Sequence, residues 1–174
     1  MHGHRVPGVH LAGRRDAPVV HLAHQDAGGD AQQLLHLYPA PHRQAIHAVF
    51  VDDGLELVGA LVLPDEADLI VNTWWSPRVP VDHDVTAFYQ VLQGGRRVAG
   101  SDAPLGQGWL TVPYWRVGDQ VREERRLAVP GGYVPSRHQV IVGLYRPPSI
   151  ERISARLPDG SAADHVVLRD AATR

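Results

Sequence analysis

The sequence has no cysteine and no lysine, and it contains a single methionine. Without cysteine the fold can use neither disulfides nor thiolate metal sites, and thiol content gives no indication of the compartment. Without lysine, the glycine pairs at 28–29 and 94–95 lack the cation that a phosphate-binding loop uses. The formal net charge of −2 offers no basic field for a polynucleotide. We therefore expect neither a nucleotide site nor a nucleic-acid partner.

Long apolar runs are also missing. No stretch approaches the roughly 20 apolar residues that a membrane-spanning helix needs, and the N-terminus lacks the continuous apolar core of a signal peptide. Ser101, Ser136 and Ser149 lie in turn contexts without the G-x-S-x-G elbow of many hydrolases. We therefore expect a soluble chain without a catalytic centre or a cofactor.

The chain does have enough apolar sequence for a core, because 44% of its 174 residues are hydrophobic. Before Val49 it is rich in His, Ala, Gly and Arg with weak periodicity, and after it β-branched and aromatic residues alternate. We place a weakly structured His/Arg-rich extension at 1–43 and a β-sandwich domain at 44–170. The extension contains two candidate elements, a strand at Ala17 to Ala23 and a short helix between Asp30 and Pro39.

Short alternating apolar runs broken by Gly, Pro and Asp predict a mainly β protein of about eight strands, a two-sheet antiparallel jelly-roll-like β-sandwich. The runs lie at 55–63, 68–75, 85–92, 121–129 and 138–145, followed by RISARL and DHVVLRD near the C-terminus. From 55 to 100 they follow one another as in a meander, and the glycines at 94 and 95 suit a two-residue hairpin turn.

Three of these runs predict how their residues are buried. The leucines of 55–63 are predicted to share one face by their spacing. VREERRLAV at 121–129 is polar on both faces through its middle, which predicts an exposed edge strand. HQVIVGLY at 138–145 is apolar on both faces, which predicts a central strand covered on both sides.

Five sequence segments occur in an order and spacing that resemble those of a known domain family. They are LELVGA (55–60), NTWW (72–75), DVTAFYQVLQGGRRVAGSDAPLGQG (84–108), TVPYWRVGDQVREERRLAVP (111–130) and VIVGLYRPPSIERI (140–153). In order and spacing, the chain from about Ala48 to Leu168 resembles the soluble C-terminal β-sandwich domain attached to many multi-spanning bacterial glycosyltransferases of the dolichyl-phosphate-mannose mannosyltransferase type. It departs from that pattern at Ala60, at Trp109 and in the segment GGYVPSRHQ.

The resemblance implies a non-catalytic accessory domain outside the cytoplasm that binds carbohydrate or packs on a membrane glycosyltransferase. The catalytic carboxylates of such enzymes belong to a membrane portion that this sequence does not contain. Two alternatives stay open. One is a purely structural sandwich that binds another protein through an edge strand, and the other is a small metal-binding protein or enzyme that uses the His-rich N-terminal part.

Aromatic side chains are the candidates for binding a sugar, because a flat ring stacks on the apolar face of a pyranose. The candidates are Trp75, Trp109, Tyr114 and Trp115. Trp109 is predicted to be the most exposed, whereas Trp115 lies in a phrase whose resemblance implies a structural role. Neighbours on a strand point to opposite faces, so one of Trp74 and Trp75 must enter the core while the other covers a sheet.

Acidic side chains offer oxygen ligands for a structural calcium ion, with Asp102 and Asp119 as the candidates. An aspartate in a turn more often bonds nearby backbone amides, and the pair at 52–53 before Gly54 fits the same explanation. We therefore predict turns at these positions rather than a calcium site.

Eleven histidines raise the question of zinc. His2 with His4, or His21 with His24, could approach one ion, but a tetrahedral site needs three or four ligands with supporting partners. No such set is evident in the sequence. We predict solvated histidines and no metal site.

Overall fold

The computed structural model describes residues 43–65, 68–106 and 110–170, together with the backbone of His21–Ala23. The strands are β1 (His21–Ala23), β2 (Gln44–Phe50), β3 (Leu55–Asp65), β4 (Asp68–Pro77), β5 (Thr86–Gln93), β6 (Arg96–Pro104), β7 (Gln120–Ala128), β8 (His138–Tyr145), β9 (Ala155–Arg156), β10 (Ala162–Ala163) and β11 (Val166–Leu168). The 3₁₀ turn η1 covers Val112–Tyr114. Within these ranges no helix has the length and apolar character needed to cross a membrane. The predicted helix between Asp30 and Pro39 lies outside the described residues.

The strands form two antiparallel sheets. The large sheet has the order β1-β7-β4-β3-β2-β9-β10, and the small sheet has the order β11-β8-β5-β6. The prediction of a mainly β, two-sheet antiparallel sandwich is confirmed, and the jelly-roll assignment stays a prediction. The hairpin at Gly94 and Gly95 is also confirmed, with φ values of 56° and 79° that glycine adopts without strain.

The predicted meander from 55 to 100 is wrong as a single unit. Strands β3 and β4 pair in the large sheet, whereas β5 and β6 pair in the small sheet. The proline-bounded segment after Pro77 therefore carries the chain from one sheet to the other instead of closing another hairpin.

The core lies between the two sheets and is built from alternate residues of each strand. In β8, Val140, Val142 and Leu144 are fully buried on the inner face, and Ile141 on the opposite face is only 2% exposed. Strand β8 pairs with both β11 and β5. The prediction of a central strand covered on both sides is confirmed.

Strand β3 contains a bulge that the period-two pattern did not predict. The register against β4 shifts between Leu57 and Gly59, so the residues after the bulge change faces. Leu57 is fully buried, and beyond the bulge it is Val62 that is fully buried, while Leu63 is 37% exposed. The leucines of this run therefore do not share one face.

Strand β7 is not the strand with two exposed faces that its charges predicted. It lies between β4 and the short β1, and its inner face buries Glu123 and Arg125. Arg125 Nη2 donates to Glu123 Oε2 at 2.7 Å, and the same carboxylate accepts the backbone N–H of Gly106. Burial raises the pKa of Glu123, and the two donors offset part of that effect. Pairing between these opposite charges is what allows them to occupy the interior.

Candidate functional site

One tryptophan, Trp74, lies on the outer face of the large sheet and is not part of the hydrophobic core. On β4, Trp75 points inward and is fully buried, while Trp74 points outward and is half-buried. Across the strands, Trp74 lies opposite Gly59 of β3 and Arg122 of β7. The prediction that one member of the tryptophan pair enters the core while the other covers a sheet is confirmed.

Two guanidinium groups lie close to the indole ring of Trp74. The Cζ atom of Arg43 lies 4.5 Å from the ring centroid, and that of Arg122 lies 5.9 Å from it. Both distances are within the range of cation–π attraction. The ring is therefore held on the sheet by cations instead of by apolar packing alone.

Gly59 makes room for one of these cations. A Cβ atom at this position would lie 2.6 Å from Nε of Arg43 and 2.7 Å from the backbone oxygen of Gln44. Because any other residue would meet both atoms, glycine is what lets the Arg43 side chain lie close to the sheet beside the indole. The sequence alone gives no sign of this contact, since residues 43, 59 and 74 meet only through strand pairing.

Arg122 is fixed in place by neighbours on its own face. Its Nε and Nη2 atoms donate to Oδ1 of Asn72 at 2.9 and 2.7 Å, and Nη2 also lies 3.1 Å from Oε2 of Glu124. Asn72 is itself only 2% exposed. We call the set Arg43, Gly59, Asn72, Trp74, Arg122 and Glu124 the Trp74 patch.

A cleft of about 470 Å³ continues the same face beyond the patch, with Ser76 two residues after Trp74 and Gln120 two residues before Arg122. Glu56 lines this cleft, and its Oε2 accepts Nε–H of Arg78 at 2.7 Å while its Oε1 lies 2.8 Å from Nδ1 of His47. The remaining lining residues are Val58, Pro77, Val117 and Gly118. We call this space the Glu56 cleft.

The carboxylate of Glu56 stays ionised in this cleft. Burial alone would raise its pKa, but the hydrogen bonds from Arg78 and His47 outweigh burial and lower it. His47 reaches the carboxylate from a left-handed backbone conformation, with φ of 57°, at the bulge of β2. The cleft therefore presents a fixed anion between two basic side chains.

Two of the aromatic side chains predicted to bind sugar, Trp75 and Trp115, are buried. Trp75 packs on Phe50 with ring centroids 5.7 Å apart, and its Nε1 donates to Oγ1 of Thr73 at 2.9 Å. Trp115 is 4% exposed, and its Nε1 donates to the backbone oxygen of Leu110 at 2.8 Å. The structure therefore corrects both assignments, because neither ring has a face that a sugar could reach.

The other two candidates have different outcomes. Tyr114, in η1, is 73% exposed and so has an accessible ring, but it does not belong to the Trp74 patch. Trp109 lies outside the described residues, so its predicted exposure stays a prediction. The residue that the structure adds is Trp74, which the sequence could pair with Trp75 but could not assign to a face.

The predicted turn aspartates are engaged by protein groups. Asp119 accepts the backbone N–H of Arg116 at 2.8 Å, as a turn residue does. Asp102 instead lies within β6, where it is 3.6 Å from Nη2 of Arg97, so the turn assignment for this residue is wrong. Within the described residues no group of three or more His, Asp or Glu side chains could hold a metal ion.

A second polar cluster ties together one end of the sandwich. Asp53 has a fully buried side chain, and its Oδ1 accepts hydrogen bonds from Arg146 and lies 3.0 Å from Nε2 of His83. The other ring nitrogen of His83 lies 2.9 Å from Oδ1 of Asp82. Hydrogen bonding to Asp82 raises the pKa of His83, burial lowers it, and Asp53 adds to the increase. The predicted turn at 52–53 is confirmed, and its second aspartate anchors this cluster.

Comparison with known proteins identifies neither a family nor a function for this chain. No family model matches the chain, and no curated protein matches it. Among solved structures it is similar to a β-glucuronidase from glycoside hydrolase family 2, at 11% identity and a TM-score of 0.44. The similarity covers 64% of this chain and 11% of that one. A likeness of this size identifies no activity for this chain, so its function has to be argued from its own residues.

Proposed function

We propose that the domain is a non-catalytic carbohydrate-binding module that uses the outer face of its large sheet. The observation that carries the proposal is the half-buried indole of Trp74 on the outer face of the large sheet, next to hydrogen-bonding side chains. A sugar ring presents an apolar face for stacking and a rim of hydroxyl groups for hydrogen bonds. The Trp74 patch supplies both kinds of partner within one area of the sheet.

The polar side chains of the patch are already positioned. Arg122 is fixed by Asn72 and Glu124, and Glu56 in the neighbouring cleft is fixed by Arg78 and His47. Groups that are ordered before binding lose less conformational entropy when a ligand arrives. This ordering supports recognition of a ligand by a preformed surface.

The same contacts favour binding over cleavage. Most glycoside hydrolases use two carboxyl groups, one as an acid and the other as a base or nucleophile. In the patch and the cleft the acidic side chains are Glu124 and Glu56, and each already binds an arginine. The lowered pKa of Glu56 also disfavours its use as a proton donor.

The resemblance to domains of membrane glycosyltransferases supports a second part of the proposal. We propose that the sandwich acts outside the cytoplasm as an accessory domain of such an enzyme, presenting saccharide to it or packing against it. Where the chain acts and which enzyme it serves depend on that resemblance alone. The sugar-binding face is argued independently, from the contacts of Trp74.

Affinity electrophoresis of the full chain in gels containing neutral and acidic polysaccharides tests the binding proposal. We expect retardation by at least one polysaccharide and about tenfold weaker binding for Trp74→Ala, because the stacked ring is removed. Tyr114→Ala is the matched control, since it removes an exposed ring outside the patch. The urea midpoint of each variant, followed by circular dichroism, checks that it folds.

Three results would contradict the proposal. Unchanged binding by Trp74→Ala would remove the patch as the site. Loss of binding in Tyr114→Ala alone would move the site to the loop around η1. Absence of retardation by every polysaccharide would overturn the carbohydrate function and leave packing against a protein partner as the better explanation.

A further inference from the structure

We propose that the saccharide bound by the Trp74 patch is acidic, and that Arg43 receives its carboxylate. The inference rests on the proposed carbohydrate function and names the ligand class for the same site. It starts from the charges of the outer face, where the arginine beside Trp74 has no carboxylate partner among the described residues.

Three other arginines of this face are neutralised by carboxylates. Arg78 pairs with Glu56, and Arg122 pairs with Glu124. Arg126, at the far end of β7, pairs with two aspartates, Asp65 and Asp68. Arg43 has no carboxylate partner in the part of the chain that the structure describes. The patch therefore carries one cation in excess, beside its tryptophan.

The position of Arg43 is determined by the sheet. Gly59 leaves the space in which its side chain lies, and the indole of Trp74 is 4.5 Å from its guanidinium carbon. Arg43 is half-buried, and burial lowers its pKa, which shows that the charge is partly removed from water. Removing a charge from water costs free energy. Because a guanidinium stays protonated in proteins, an anion has to offset that cost, since loss of the proton cannot.

The geometry matches a carboxylate on a sugar ring. Guanidinium presents parallel N–H groups that bind a carboxylate in a bidentate manner. A pyranose that contacts the indole of Trp74 would hold a ring carboxylate within reach of the guanidinium beside it. A neutral sugar on the same ring would leave Arg43 without a counter-ion, so the patch discriminates by charge.

Oligogalacturonate and its fully methyl-esterified form are suitable probes, because they share a backbone and differ in charge. Isothermal titration of the full chain with each is expected to give about tenfold tighter binding of the acidic form, as charge-assisted hydrogen bonds are worth more than neutral ones. That preference should shrink as sodium chloride is added, since part of it is screened.

Arg43→Gln is expected to lose the preference, so that the acid and the ester bind with equal affinity. Arg126→Gln is the matched control, because it removes an arginine from the same face but from outside the patch, and it should keep the preference. The urea midpoints of both variants confirm folding.

Each remaining outcome overturns the inference and identifies what failed. Equal binding of acid and ester by the unmodified chain overturns the acidic ligand but leaves the carbohydrate function intact. The same holds if only neutral polysaccharides bind. A preference that survives in Arg43→Gln, or disappears equally in Arg126→Gln, shows that Arg43 is not the receiving group. Absence of binding to any saccharide removes the proposed function and the inference together.

Discussion

Removing Arg125 alone should be among the most damaging single changes to the interior of the sandwich. Its side chain is 6% exposed, that of Glu123 is fully buried, and the two are joined at 2.7 Å. At an effective dielectric constant of about 20, two unit charges 4 Å apart attract by roughly 4 kcal/mol. Arg125→Met leaves the carboxylate buried without its cation, and we expect a loss of about 3–5 kcal/mol in the free energy of unfolding.

The double variant Glu123→Gln with Arg125→Met separates the cost of an unpaired charge from that of lost packing. The amide of glutamine still offers an oxygen to the backbone N–H of Gly106, which glutamate accepts in the native chain. Neutralising both positions should therefore recover most of the lost stability, because replacing a buried pair by uncharged groups is often neutral or stabilising. For a chain of this size, a change of about 3–5 kcal/mol moves the melting temperature by roughly 6–20 °C.

The assay is urea unfolding followed by the fluorescence of the buried tryptophans, with the midpoints compared at constant slope. The reasoning would be refuted if Arg125→Met lost less than about 1 kcal/mol, a value typical of exposed ion pairs. It would equally be refuted if the double variant were as unstable as the sum of the two single variants, since that would show no coupling between the charges.

Two further predictions concern other contacts. A Cβ atom at Gly143 would overlap Cζ of Phe88 on the neighbouring strand, so Gly143→Ala should lose about 1–3 kcal/mol in urea unfolding, and adding Phe88→Leu should restore part of it. The raised pKa of His83, caused chiefly by Asp82 and also by Asp53, should stabilise the fold fully below the ordinary histidine value and lose that contribution as the pH rises through the folded value. Melting temperatures between about pH 5 and 9 should show this loss in the native chain and not in His83→Gln; the same slope in both would rule out this histidine.

The sequence was a good guide where one local signal decided the structure. Alternation predicted the sandwich, and apolar residues on both faces of the run 138–145 predicted that β8 is central. The two glycines of the β5–β6 turn predicted a hairpin, because left-handed φ values are what such a turn requires. Each of these features follows from residues that are adjacent in the chain.

The failures arose where the decisive contact is distant in the chain. The charges of β7 predicted exposure, but Glu123 and Arg125 neutralise each other inside the core. The prediction of one inward and one outward ring on β4 was confirmed, but only strand pairing shows that Trp74 is the outward one. The contact between Arg43 and Trp74 depends on Gly59, a residue that carries no side chain to signal it.

The bulge in β3 also affects how this chain can change in evolution. Loss of Val58, the extra residue of the bulge, would leave Leu57 opposite Trp75 and Gly59 opposite Trp74, so every later side chain would keep its face. Loss of a residue beyond the bulge, such as Ala60, would instead turn the following side chains over, so that Val62 would face solvent and Leu63 would face the core. The bulge is therefore the one position of β3 at which the strand can lose a residue without turning the side chains that follow, whereas deletions beyond it should be far less tolerable than deletions in the turns.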